Sequence, residues 1–201
     1  APLVLAKAQS AFARVQELAD STMGARFTNP KIIHQFGGHS MPETADNIAA
    51  DLGITREESD FFAAASQAKY ETARAQGFFQ DEIIPMEVSQ GRKKPALRVD
   101  ADEHPRPATT PAGLAKLRNL FEGGVVTAGN ASGINDGASA MIIGSEDVGR
   151  KAGVKPRGRI LAGAIAGVPP RVMGLGPVPA TKKALTRAGL KLEDMQVIEL
   201  N

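Results

Sequence analysis

Two helix-capping signatures stand back to back in the first third of the chain, and no other feature limits its fold as much. Ser40-Met41-Pro42-Glu43 places serine at the N-cap and glutamate at N3, so each side chain can satisfy the other residue's backbone N–H. Ala45, Ile48, Ala49 and Leu52 follow at helical spacing, and Gly53 can close the helix. Thr55-Arg56-Glu57-Glu58 repeats the box at once. Its helix is predicted to run to Gln76 and end at Gly77, with Phe61, Phe62, Ala65, Ala68 and Ala73 as the buried stripe. The first third therefore reads as helical.

The text then changes. Ile83 to Val88 can be a strand that Pro85 confines to an edge or bulge, with Leu97-Arg98-Val99 as its partner across an Arg92–Pro95 turn. Thr110-Pro111 opens a short helix with Leu114, Leu117 and Leu120 on one face. Short strands are predicted at Val125–Thr127, Ala138–Ile143, Arg159–Ala166 and Gln196–Leu200. Helices between them start at Ser145 and at Pro179, the latter ended by Gly189. Strands alternating with helices imply an α/β layer with parallel pairing.

The composition narrows the class. Of 201 residues, 42% are hydrophobic, enough for one sizeable core or two small ones. A net charge of +2 is too small for the concentrated basic face of a nucleic-acid binder. No apolar run approaches the ~20 residues that span a bilayer, and no secretory leader is visible. The expectation is a soluble, cytoplasmic protein with no membrane and no nucleic-acid partner. The absence of cysteine excludes disulfides, thiolate metal sites and cysteine nucleophiles within these residues.

Three stretches can carry chemistry. Thr127-Ala-Gly-Asn-Ala-Ser-Gly-Ile-Asn-Asp-Gly137 combines small side chains with three glycines, so a ligand can lie against its backbone while Asn130 and Ser132 offer hydrogen bonds. A tight connection that needs glycine dihedrals explains the same residues. Met173-Gly-Leu-Gly-Pro177 is a glycine-rich turn ahead of a helix. Arg92, Lys93, Lys94, Arg98, Arg106, Lys116 and Arg118 make residues 92–118 basic, which suits either a solvated loop or a phosphate-bearing small molecule. His34, His39 and His104 match no zinc spacing and read as structural or surface residues.

The run from Thr127 to Ala138 resembles a signature of the thiolases, enzymes that cleave 3-oxoacyl-CoA or condense acetyl-CoA. Met41-Pro-Glu-Thr-Ala-Asp-Asn47, Ser66-Gln67, Ala115-Lys-Leu-Arg118 and Val172-Met-Gly-Leu-Gly-Pro177 are also similar to that family, in the same order. Val197-Ile-Glu-Leu-Asn201 resembles the start of its Asn-Glu-Ala-Phe motif. Residues 41–47 and 167–173 look most like the branch acting on 3-oxoadipyl-CoA, from which Ala25 and Ala108 depart.

The resemblance implies an α/β fold, a thiolase-like α-β-α-β-α sandwich. Residues 1–134 would form the loop domain over CoA, 135–154 the end of the N-terminal core domain and 155–201 the first part of the C-terminal core domain. It implies that Ala131 and Ser132, with Ala128 close by, line the pantetheine arm. Met41 and Met173 would stand at the acyl end, and Arg118 and Arg106 at the adenine and phosphate end. Asn201 would hold the water of an oxyanion hole. CoA or acyl-CoA would be substrate, with no covalent cofactor and no metal, and the assembly would be a homo-oligomer.

The nucleophilic cysteine of that family would lie upstream, and its histidine and second cysteine downstream. Neither cysteine is among these residues, and none of the three histidines matches the family's catalytic one. The expectation is an internal segment of an acyltransferase that is inactive alone. The alternatives are a non-catalytic CoA-binding or oligomerisation fragment and a remnant without function.

Overall fold

The computed structural model describes residues 3–8, 10–21 and 27–200. In chain order they form the strands β1 (Leu3–Leu5) and β2 (Leu18–Asp20), then the helices α1 (Pro30–Phe36), α2 (Met41–Leu52) and α3 (Arg56–Ala75). The strands β3 (Met86–Val88) and β4 (Leu97–Val99) follow, then α4 (Pro111–Leu114), α5 (Glu146–Lys151) and α6 (Pro177–Ala188). Two 3-10 helices flank α6, at Pro170–Leu175 and Leu192–Asp194. The chain divides into two units, Ala1–Asp51 with Leu161–Asn201, and Leu52–Ile160. No helix among the described residues is long and apolar enough to cross a membrane.

In the first unit, β1 and β2 form an antiparallel hairpin with Leu3 opposite Asp20 and Leu5 opposite Leu18. The helical reading of the first third did not include it. Helix α1 starts where Asn29 accepts the Lys31 N–H and Pro30 occupies a position that needs no N–H. Helix α2 starts as predicted: the Glu43 carboxylate accepts the Ser40 N–H at 2.6 Å. Its buried residues are Thr44 and Ala49, whereas Ala45 and Leu52 are exposed, so the buried face is turned from the predicted stripe. Thr44 can be buried because its hydroxyl donates to the Met41 carbonyl at 2.7 Å. Helix α6 begins two residues before Pro179, with Pro177 in its first turn. It ends at Gly189, whose φ of 69° is left-handed. The Gly189 N–H reaches the Thr186 carbonyl and the Leu190 N–H the Leu185 carbonyl, so two of the last open carbonyls are satisfied.

In the second unit, the full capping box of α3 is present: Thr55 accepts the Glu58 N–H and Glu58 accepts the Thr55 N–H. The helix stops at Ala75, followed by Gln76 and the left-handed Gly77. Its buried residues are Asp60 and Ala64. Phe61 and Phe62, predicted to be inside, are 69% and 75% exposed, because the inward face is occupied by a polar network described below. The hairpin of β3 and β4 forms as expected, antiparallel, with Met86 opposite Val99 and Val88 opposite Leu97. It begins directly after Pro85, which lacks a ladder donor. Helix α4 is capped by Thr110 as predicted but lasts one turn, so only Leu114 is buried while Leu117 and Leu120 are exposed. Helix α5 is capped by Ser145 and closes at Ala152 as predicted.

The parallel layer is the main correction. Residues 138–143, 159–166 and 196–200 carry no strand among the described residues, and Val125–Thr127 is reduced to one bridge, Asn119 to Thr127. Both sheets that do form are two-stranded and antiparallel. A parallel strand depends on neighbours far away in sequence for its ladder. Without such neighbours these segments leave Ile142, Ile165 and Val197 in solvent. The apolar core is correspondingly small: Ala49 and Val172 in the first unit, Ala64, Leu114 and Val126 in the second.

Candidate functional site

The small-residue run begins on the most buried side chain of the described residues. Thr127 is 0% exposed. Its hydroxyl accepts the N–H groups of Gly129 and Asn130 at 3.2 and 3.3 Å, and its carbonyl accepts the Ala131 N–H at 3.0 Å. This folds Ala128 to Ala131 into a turn. The Asn130 side chain locks it: Oδ1 accepts the Thr127 N–H at 2.7 Å, and Nδ2 donates to the Val125 carbonyl at 2.9 Å and to Asp60 Oδ1 at 3.0 Å. Asn130 is thereby spent inside the protein and is not a ligand group, against the sequence expectation.

Asp60 joins the turn to α3. Its other oxygen, Oδ2, accepts Arg56 Nε at 2.7 Å. Arg56 Nη1 donates to Asn119 Oδ1, and Nη2 to the carbonyls of Leu114 and Leu117 at 2.6 and 3.1 Å. One guanidinium thus holds α3, α4 and the strand-like segment before Thr127. The Asp60 side chain is 4% exposed, and a charge so buried is tolerated only because the pair and the amide satisfy both oxygens. Sequence reasoning used Thr55–Glu58 as a cap and missed this pair. Its signal was Arg56 and Asp60 at i and i+4 on one helix face.

Glycine lets the chain pass close to side chains twice at this site. A Cβ at Gly129 would collide with the Leu114 and Leu117 methyls, and one at Gly133 with the His104 ring. The second contact brings the turn against the loop that carries Arg106. Arg106 donates its backbone N–H to Gln67 Oε1 at 2.8 Å and directs Nη1 at the carbonyls of Glu103, His104 and Pro105. That guanidinium nitrogen closes its own loop.

The sequence-predicted residues therefore fall into two groups. Ala128, Ala131, Ser132, Arg106 and Arg118 lie in the second unit, where Ala128, Ser132, Arg106 and Arg118 are exposed and Ala131 is half-buried. Met41 and Met173 lie in the first unit, Met41 at the exposed start of α2 and Met173 in the 3-10 helix ahead of α6. Asn201 and Ala25 lie outside the described residues. Among the other basic residues, Arg98 pairs with Asp100 at 3.1 Å.

The chain is 52% identical over its whole length to an Escherichia coli (strain K12) protein named 3-oxoadipyl-CoA/3-oxo-5,6-dehydrosuberyl-CoA thiolase, of which it covers 50%. It therefore spans about half the length of the curated relatives it matches. Among solved structures it is similar to human mitochondrial 3-ketoacyl-CoA thiolase, with a TM-score of 0.78 and 38% identity. That match covers 98% of this chain and 48% of the human one. A CoA complex of the human enzyme matches with a TM-score of 0.73 and 44% identity, over 80% of this chain and 39% of that one. These neighbours show a thiolase-like α/β fold. Residues 6–147 match the family model described as the thiolase N-terminal domain and residues 154–201 the one described as the thiolase C-terminal domain, so the chain belongs to the thiolase family.

Proposed function

We propose that these residues form the CoA-covering part of an acyltransferase that moves an acyl group between a 3-oxoacyl-CoA and CoA, releasing acetyl-CoA, or runs the reverse condensation. The observation that carries the reading is the locked turn at Thr127–Asn130. It leaves Ala128 and Ser132 as a rim of small exposed residues beside the Arg106 loop. A narrow pantetheine arm can lie on such a rim, and Arg106 and Arg118 suit phosphate oxygens. The name of the E. coli relative supports a 3-oxo dicarboxylic acyl group as the substrate class. The domain bounds that go with this reading are 1–134 for the loop domain, 135–154 and 155–201 for parts of the two core domains. A homo-oligomer in the cytoplasm goes with it as well.

The chemistry sets a limit. Thiolysis through a covalent acyl-enzyme needs a thiolate with a paired base. A polypeptide of these 201 residues has no cysteine to supply it. Asn201 would contribute a positioned water to an oxyanion hole, where a donor is worth ~3 kcal/mol in the transition state. It would have no intermediate to stabilise without the nucleophile. Calorimetric titration of the purified chain with CoA, beside an assay of 3-oxoacyl-CoA cleavage, tests both halves of the reading. The expected result is CoA binding without turnover. A chain that binds no CoA contradicts the site, and turnover contradicts the inactivity.

A further inference from the structure

The second unit holds a cleft of about 500 Å³ between the C-terminal half of α3, the turn that follows it and the loop at 100–107. That volume falls in the range of about 300–1,000 Å³ usual for small-molecule sites. No residue of the Thr127–Asn130 turn lines it.

One wall of the cleft is aromatic. Tyr70 and Phe79 stack with 5.0 Å between ring centroids and 20° between ring planes, and Phe78 braces Phe79 edge-on at 5.2 Å. Tyr70 and Phe79 are half-buried, so part of each side chain stays open in the cleft they line. Ile83 and Pro105 extend the apolar surface.

The charged groups of the lining are three carboxylates, Glu71, Asp100 and Asp102, and one guanidinium, Arg74. Arg74 is already committed: its Nε and Nη2 donate to the two oxygens of Glu71, each at 2.7 Å. Asp100 holds Arg98 through Oδ2 at 3.1 Å. Asp102 makes no ion pair among the described residues, and its Oδ2 accepts the Tyr70 hydroxyl at 3.2 Å. Two pairs therefore cancel, and the charge of Asp102 is left over. A carboxylate offers acceptors and no donor, and a ring face attracts positive charge. An aromatic wall beside an uncompensated carboxylate is complementary to a cation with an apolar body.

We propose that this cleft binds an organic ammonium ion, with its apolar body against Tyr70 and Phe79 and its ammonium donating to Asp102. The site is separate from the one read at the Thr127–Asn130 turn and does not rest on that reading.

The chain has one tyrosine and no tryptophan, and that tyrosine lines the cleft, so tyrosine fluorescence reads its occupancy. The probes are phenethylammonium, its neutral counterpart phenethyl alcohol and the anion hydrocinnamate, each titrated into the 201-residue chain at neutral pH. The ammonium is expected to bind about three- to tenfold more tightly than the alcohol, a usual size for one screened charge pair assisted by a ring face, and the anion most weakly. Asp102→Asn keeps an acceptor for the Tyr70 hydroxyl and removes the charge. It should bring the ammonium and the alcohol within about twofold of each other and leave the alcohol's affinity unchanged. Equal binding of the three probes, preference for the anion, or no tyrosine response up to about 10 mM overturns the proposal. A preference for the ammonium that survives Asp102→Asn overturns it as well. Should that variant fail to fold, the order of the three probes on the unsubstituted chain decides.

Discussion

Asp60 is the residue on which the turn depends, since it is the shared acceptor of Arg56 and Asn130. Asp60→Ala leaves the guanidinium and the amide facing each other without an anion. Breaking a buried pair from one side costs about 3–5 kcal/mol, and that loss is expected in urea unfolding of the variant. Asn130 shows what the residue types alone could not settle. Its amide can serve a ligand or the backbone equally well, and the choice depends on Asp60, 70 residues away. Tyr70 is a second local reporter. It stacks on Phe79 with centroids 5.0 Å apart and donates to Asp102 at 3.2 Å. Partial burial, then the Asp102 charge and hydrogen bond, push its pKa above the ordinary 10.0. Any stability from this contact is present below pH 10 and is lost as pH rises through the raised value. As the chain has one tyrosine and no tryptophan, tyrosinate absorbance reads this group alone. Its midpoint is expected above 10 in the folded chain and at the ordinary value in denaturant.

Helix starts were legible because capping is local. Thr55 and Glu58 meet within four residues, and so do Ser145 and Val148 and Thr110 and Gly113. The buried side of α3 was not legible, because hydrophobic spacing points at Phe61 and Phe62 while the inward face holds Arg56 and Asp60. A polar network took the place of the apolar stripe. The cap of α3 gives an element-scale prediction. Thr55→Ala is expected to cost about 0.5–2 kcal/mol, read by thermal melting followed by circular dichroism. The Thr55 backbone N–H first, and its hydroxyl second, hold the Glu58 carboxyl below its ordinary 4.5. A depressed carboxylate stabilises the fold above its unfolded pKa. The Glu58 contribution is therefore present at neutral pH and fades as pH falls below 4.5 through the lower folded value. Thr55→Ala keeps the backbone N–H and removes only the hydroxyl, so this acid dependence should shrink but persist.

At the scale of the molecule, the apolar runs at 138–143, 159–166 and 196–200 read as buried strands but carry none among the described residues, because a parallel ladder depends on neighbours far away in sequence. Met141, Ile142 and Ile143 stand in solvent. The order of the motifs was more legible than the sheet, since each motif is short and carries its identity within a few residues. Exposed apolar segments with open backbone groups pair with other chains. The 201-residue chain is expected to self-associate, with a mass by light scattering that rises with concentration. Ile142→Asp should lower that mass, and a monomer at every concentration would refute the expectation.

Amide hydrogen exchange with and without CoA reads where on the chain the ligand sits. Slowed exchange is expected at residues 128–132 and in the 104–106 loop, with α1 and the hairpin of β1 and β2 unchanged. Protection confined to other segments, or none at saturating CoA, would contradict a CoA site at the Thr127–Asn130 turn.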